Sequence, residues 1–287
     1  MTIQDLRSQR FFQLSDFADG FYGRARNLER WRVLADRFDA FKKMEPHCET
    51  DQIPKRIHQI WLGKQIPSLY SAWAETWRLM NNGWEYRLWD EKTILDFSLV
   101  NERAFRKSKS YGAKTDIARY EILERLGGVY ADTDFECLKS FNAIAERCTF
   151  FAGTVFSDVP EINNGLMGST PGHPLLRCLI EALSEPIMTR NTGVILEKSG
   201  SYNLTKHFFD NLESLNLTDV IFPSSYFYPF PNFVKKETVT HEIMKGYARE
   251  CSHAIHYWET SWARPHPFRV FLSRMKRRLL RQPISKA

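Results

Sequence analysis

"KTDIARYEILERLGGVYADTDF", residues 114–135, decides how the chain is read. Ile117, Tyr120, Ile122, Leu123 and Leu126 recur at helical spacing, and Gly127–Gly128 close the run. A short apolar run follows, carrying Asp132 and Asp134 two positions apart. The pattern predicts a helix over 113–126 that feeds directly into a strand. Side chains alternate in a strand, so Tyr130, Asp132 and Asp134 are expected on one face. Two carboxylates on one face repel each other unless a cation lies between them or the strand has ended in a solvated crevice. Ligand crevices in open α/β sheets lie at the carboxyl ends of strands. The pair therefore points to a divalent cation on oxygen ligands, Mn2+ or Mg2+. Two surface aspartates at a turn are the plainer alternative.

On a helical wheel of about 100° per residue, Asp116 and Arg119 fall on the apolar half, and Glu121 and Arg125 fall opposite. Charges on an inward face are costly unless paired or employed. Either Asp116 caps the helix and pairs with Arg119 at i, i+3, or both reach a polar ligand in the crevice that holds the aspartates.

Outward from this stretch, Leu28, Trp31, Leu34, Phe38 and Phe41 predict an amphipathic helix over 22–44. "IPKRIHQIWLG" (53–63) reads as a strand and Leu69 to Met80 as a helix. "WEYRLWD" (84–90) reads as a strand with Trp84, Tyr86 and Leu88 on one side. Strand–helix–strand signals a parallel α/β sheet. "FFAGTVF" and "NNGLMGS" are further strands, and a helix starts at Pro174. Residues 194–250 show no clear pattern, and "AIHYWETSW" (254–262) reads as a last strand with its exit loop. The expected division is a helical extension over 1–50, one domain over 51–263 and a basic tail over 264–287.

Hydrophobic residues make up 43% of the 287, enough for a sizeable core. The net charge of +6 is uneven: Arg264 to Ala287 hold eight Lys/Arg and no Asp or Glu, leaving 32 basic and 34 acidic residues elsewhere. A body near neutrality argues against a nucleic-acid groove. In the tail, Phe268, Phe271, Leu272, Met275 and Leu279 form one helical stripe among basic residues. Residues 265–287 are thus either an element for an anionic membrane surface or a solvated helix packed on the domain. Five cysteines without a CxxC fit a reducing compartment, and Cys and His that do not cluster at ligand spacing argue against a zinc site. No apolar run approaches the roughly 20 residues of a membrane span, and the first residues lack the apolar core of a signal peptide. The expected location is cytoplasmic, peripheral on the inner membrane face.

"IPKRIHQIWLG", "KTDIARYEILERLGGVYADTDF" and "AIHYWETSW" together resemble the glycosyltransferases with the sugar-binding DXD motif, over about residues 53–262 in order and spacing. That group includes yeast-type mannosyltransferases, eukaryotic α-1,4-sugar transferases and bacterial capsule and lipopolysaccharide enzymes. The large clostridial glucosylating toxins carry a related catalytic core. The resemblance implies a GT-A type nucleotide-sugar-binding α/β fold with a mixed, mostly parallel sheet. It implies that Trp61 stacks near the base, that Asp116 and Arg119 contact the donor sugar, and that Tyr130 lies near the ribose or base. Asp132 would touch the ribose and, through water, the metal; Asp134 would be the direct metal ligand. Asn164 would bond the transferred sugar, His256 (alternatively Glu259) would be a further metal ligand, and Ser261 and Trp262 would close over the diphosphate. Core packing for Trp61, a turn role for Asn164 and a structural role for His256 stay open. In "KSGSYNLTKHF", Ser201 replaces the family's proline, which puts the local turn geometry in question.

The implied activity is metal-dependent transfer, with retention of configuration, from a nucleotide diphosphate sugar to a saccharide or lipid-linked saccharide. A UDP-sugar is favoured, with GDP-mannose the nearest rival, as in bacterial capsule or lipopolysaccharide synthesis. The rivals are an effector-type transferase acting on a protein and a non-catalytic membrane- or nucleic-acid-binding protein with a degenerate transferase domain.

Overall fold

The computed structural model describes residues 10–14, 27–46, 52–232 and 239–259. The chain begins with α1 (Arg10–Leu14) and α2 (Leu28–Phe41), then β1 (Arg56–Ile60), α3 (Ser68–Met80) and β2 (Glu85–Trp89). Next come α4 (Glu91–Asp96), α5 (Glu102–Lys107), α6 (Tyr111–Leu126), β3 (Gly128–Ala131) and β4 (Phe135–Cys137). α7 (Asn142–Ala145), β5 (Phe150–Thr154), β6 (Ile162–Ser169), α8 (Pro174–Glu181) and α9 (Thr192–Lys198) follow. The last described elements are α10 (Ser201–Asp210), β7 (Asp219–Phe222), α11 (Ser224–Phe227), α12 (His241–Lys245) and β8 (Ala254–His256).

Six strands form one sheet in the order β2-β1-β3-β6-β5-β7. β1 pairs in parallel with β2 and β3, and β5 with β7, while β6 runs against both β3 and β5. Every strand but β6 thus points the same way, and the carboxyl ends share one edge. β3, β5 and β7 are buried throughout, as strands covered on both faces must be. β4 and β8 form a separate antiparallel pair with Phe135 opposite His256.

The strand over 84–90 forms, and the residue it buries is not on the side of Trp84, Tyr86 and Leu88. Leu88 is 38% exposed, whereas Trp89 is fully buried. β2 is an edge strand, and its inward anchor is Trp89, whose Nε1 donates to His58 Nδ1 at 3.2 Å. Glu121 also departs from the wheel. It is buried because α6 is covered on a second side, where its carboxylate accepts the Val100 and Asn101 N–H groups at 2.5 and 2.8 Å.

Gly127 (φ 62°) and Gly128 (φ 102°) turn the chain from α6 into β3 through left-handed conformations. A Cβ on Gly128 would lie 2.7 Å from the Arg56 carbonyl, so β1 and β3 approach there only around glycine. At the other edge, α2 packs on β7, with Phe38 and Phe41 meeting the Phe222 ring at 5.8 and 5.0 Å. The helical segment therefore shares the main core. Ser261, Trp262 and the basic tail lie outside the described residues. No described helix is long and apolar enough to cross a membrane.

Candidate active site

A cavity of about 440 Å³ opens at the carboxyl edge of the sheet. β3 ends at Ala131, and the next residues form a tight turn rather than more strand: Asp132 N–H donates to the Gly165 carbonyl at 2.7 Å and Phe135 N–H to the Asp132 carbonyl at 3.2 Å. Strand alternation therefore does not place the two carboxylates. They converge because a turn at a strand end folds Asp134 back beside Asp132. Donor atoms of Asp132, Asp134 and His256 all lie within 4.8 Å of one another. His256 arrives from β8, stacked on Phe135 at 4.3 Å, with Nε2 3.0 Å from Asp134 Oδ1. Glu259 lines the same cavity but pairs instead with His241 Nε2 at 3.1 Å.

Asp134 has no Lys or Arg partner among the described residues; the group beside it is the His256 ring. Burial pushes the Asp132 carboxyl above its ordinary range, Arg119 opposes that, and the neighbouring Asp134 adds to it. Two converging carboxylates supply the oxygen ligands that Mn2+ or Mg2+ prefer, and the imidazole beside them is a further ligand, so the residues fit a divalent cation.

Beside this cluster lies a buried polar network hung on α6. Asp116 and Arg119 are 6% and 4% exposed. Asp116 is not the helix cap; Ser110 is. Arg119 Nη2 lies 3.3 Å from Asp116 Oδ1 and 3.0 Å from Asp132 Oδ1, and Nη1 donates to the Asn164 carbonyl at 2.6 Å. One guanidinium thus ties the helix, the turn and the start of β6 together, the fixed-fork geometry that lysine lacks. Burial works against its charge, and Asp132, Tyr130 and Asp116 more than offset that. Asn164 Nδ2 donates to Asp116 Oδ1 at 2.8 Å and to the Tyr120 hydroxyl at 3.0 Å. Burial raises the Asp116 carboxyl, while Arg119, Ser199 and Asn164 hold it down.

Trp61, Asp116, Arg119, Asp132, Asp134 and Asn164 all line the cavity. Tyr130 does not. It is buried beneath the wall, with its hydroxyl on Asp132 Oδ1 at 2.7 Å and the Arg119 guanidinium 4.5 Å above its ring. Its place is under the carboxylate, because β3 is covered on both faces. Ser201 opens α10, and its hydroxyl donates to Glu161 at 2.8 Å, so the turn forms without the proline.

Some contributors carried no signal of their own. Ser199 Oγ donates to Asp116 Oδ2 at 2.7 Å from the stretch that showed no periodicity. Gln59 Nε2 supports the Asp132 carbonyl at 3.2 Å, and Thr115 Oγ1 accepts from Arg119 at 3.2 Å. Gly165 matters through what it lacks: a Cβ there would lie 2.9 Å from Asp132 Oδ2. Thr115 adjoins Asp116 and Gly165 adjoins Asn164, so adjacency was the only available hint.

A mostly parallel sheet with a carboxylate pair in a turn at its carboxyl edge defines the class, a glycosyltransferase of GT-A architecture. Residues 67–151 match the family described as the glycosyltransferase sugar-binding region containing the DXD motif. An uncharacterized glycosyltransferase of Acanthamoeba polyphaga mimivirus is 30% identical over 168 residues, 54% of this chain and 67% of that protein. Inositol phosphoceramide mannosyltransferase 1 of Schizosaccharomyces pombe is 33% identical over 144 residues, 48% of this chain but only 44% of that protein's length. The catalytic domain of alpha-toxin from Clostridium novyi shares the fold at 8% identity, with a TM-score of 0.50 over 97% of this chain and 90% of that one. The chain belongs to the DXD-motif glycosyltransferase family.

Proposed function

We propose that the chain moves a hexosyl group, with retention of configuration, from a nucleotide diphosphate sugar to a lipid-linked acceptor. Two features support this reading: the Asp132–Asp134–His256 cluster, and the Asp116–Arg119–Asn164 network in the same cavity. The yeast relative is named a mannosyltransferase acting on an inositol phosphoceramide, which favours mannose and a phosphorylated lipid headgroup. GDP-mannose therefore comes first among donors, with the UDP-sugars second.

Asp132, Asp134 and His256 would hold a divalent cation, which supplies charge stabilisation to the departing diphosphate. The remaining contribution is positioning and electrostatics. Arg119 fixes Asp132 and Asp116 in place. Asp116 Oδ2, which accepts only Ser199 among the described residues, keeps an acceptor position for a sugar hydroxyl. Trp61 presents an aromatic face at the cavity wall for a base. Asp116 and Asp132 are tied into the Arg119 network, which leaves neither poised as a nucleophile. Front-face transfer, in which the departing phosphate takes the acceptor proton, is the mechanism that suits this wall.

The test is a panel of GDP-mannose and UDP-hexoses with Mn2+, with and without chelator, scored for donor hydrolysis and for the anomer of the released sugar. Chelator-sensitive release of the α-anomer from one donor is expected. Absence of turnover with every donor in both Mn2+ and Mg2+ would remove the proposal.

A further inference from the structure

The cavity rim has three contiguous segments beyond the carboxylate cluster. The loop after β1 meets the start of α6, since a Cβ on Gly63 would lie 3.2 Å from the Tyr111 hydroxyl. Trp61 Nε1 donates to the Lys64 carbonyl at 2.7 Å and its ring lies 5.0 Å from Tyr70, which fixes the rest of that loop beside the cavity. Lys109 N–H donates to the Ile187 carbonyl at 3.1 Å, and Arg190 Nε donates to the Lys109 carbonyl at 3.1 Å. Residues 187–192 are thereby tied to the same rim, where Tyr111 and Thr192 both line the cavity.

This rim shows both apolar and basic side chains to solvent. Leu69, Tyr111 and Met188 are 42%, 47% and 57% exposed. Lys64, Lys109 and Arg190 are exposed between them, and none has a carboxylate partner among the described residues. Nearby Arg103 and Lys114 are instead neutralised by Glu185 and Glu91 at 3.1 and 3.0 Å. Glu259 lines the cavity, and Arg264, five positions on, opens a stretch with eight Lys/Arg and no acid.

We infer that the rim built from residues 63–70, 109–111 and 187–192 is a docking face for an anionic lipid bilayer, holding the cavity mouth toward the lipid headgroups. This rests on the reading that the acceptor is lipid-linked. Exposed Leu, Met and Tyr interleaved with Lys and Arg are the surface chemistry of an interfacial element. Each Lys or Arg held near an anionic leaflet contributes roughly fivefold to partitioning, so three unpaired cations contribute roughly a hundredfold. With the mouth against the membrane, a headgroup reaches the site without leaving its leaflet.

The experiment uses the full chain with phosphatidylcholine vesicles, with and without phosphatidylserine. Sedimentation is compared for wild type, Lys109→Glu/Arg190→Glu and Leu69→Ser/Met188→Ser. Both double variants should lose at least tenfold in partitioning to the anionic vesicles while hydrolysing the nucleotide sugar in solution as wild type does. Hydrogen exchange of the wild-type chain reads orientation independently of any variant. Vesicles should protect 63–70 and 187–192 and leave 211–218, before β7 at the opposite edge of the sheet, unchanged. Wild-type partitioning by both variants, or protection at 211–218 in place of the rim, would overturn the inference. Absence of donor hydrolysis with rim-dependent partitioning intact would defeat the functional reading and leave the docking face standing.

Discussion

Gly165→Ala tests whether the position of Asp132 is set by the space left beside it. A Cβ at 165 would lie 2.9 Å from both Asp132 Oδ2 and Asn163 Oδ1, where ordinary contact begins at 3.4 Å. Each oxygen must therefore withdraw by about half an ångström unless the backbone moves. Asn163 Oδ1 accepts the Gly165 N–H at 2.8 Å and the Tyr228 hydroxyl at 3.1 Å, and Asp132 is held on its other oxygen by the Tyr130 hydroxyl at 2.7 Å and by Arg119 at 3.0 Å. Displacing it stretches those bonds and shifts an oxygen of the cluster proposed to hold the cation. A misplacement of about 1 Å can cost roughly a hundredfold in rate, so half of that predicts a loss of about tenfold in kcat/KM. Stability should change by less than about 1 kcal/mol, because the crowded atoms are side-chain ends and alanine restricts the unfolded chain. The assay pairs Mn2+-dependent donor hydrolysis with a thermal melt. Wild-type kcat/KM, or an activity loss fully accounted for by lost folded protein, would refute the reasoning.

Arg119→Lys keeps the charge but cannot span Asp116, Asp132 and the Asn164 carbonyl. Donor turnover should fall at least about a hundredfold and urea stability by about 2 kcal/mol; unchanged turnover would show that the fork is dispensable. Ser199→Ala removes one donor from the buried Asp116 carboxylate, a loss of about 1–2 kcal/mol that should appear as roughly tenfold in kcat/KM. His58 gives a pH prediction: Trp89 donates to Nδ1 and Nε2 lies 3.0 Å from the Gly127 carbonyl, so the folded ring is neutral, and burial lowers its pKa from 6.5 to about 4. Between those values the unfolded chain binds the extra proton. Stability is therefore whole above pH 6.5 and declines toward pH 4, by about 3 kcal/mol from this group. His58→Gln should flatten that slope in urea titrations, and an unaltered slope would assign it to other groups.

Long periodic elements were legible because their periods report burial directly. The helices over 28–41 and 68–80, the helix into Gly127 and the buried strands over 128–131 and 150–154 all sit where the apolar pattern placed them. The edge strand was legible only as a strand, since alternation names a face but not which face is inward, and the buried residue is Trp89. Glu121 misled for a related reason: a wheel finds one apolar face and is silent about a second layer, here α5 and the Val100–Asn101 amides.

The site shows where periodicity stops carrying information. Alternation put Asp132 and Asp134 together, but the cause is a turn, and turns are held by backbone partners from distant sequence, here the Gly165 carbonyl. β6 is the strand that runs against the rest of its sheet, so its opening residues, Ile162 to Gly165, lie at the edge where β3 ends. That reversal brings Asn164 to Asp116 and leaves at Gly165 the gap that Asp132 fills. Ser199 then reaches Asp116 from 83 residues away. Single residues of this kind have no spacing to betray them, because their partner is fixed by the strand order and not by the neighbouring sequence. A chemical motif can thus be read from one stretch, while the side chains that aim it become visible only once the order of the strands is known.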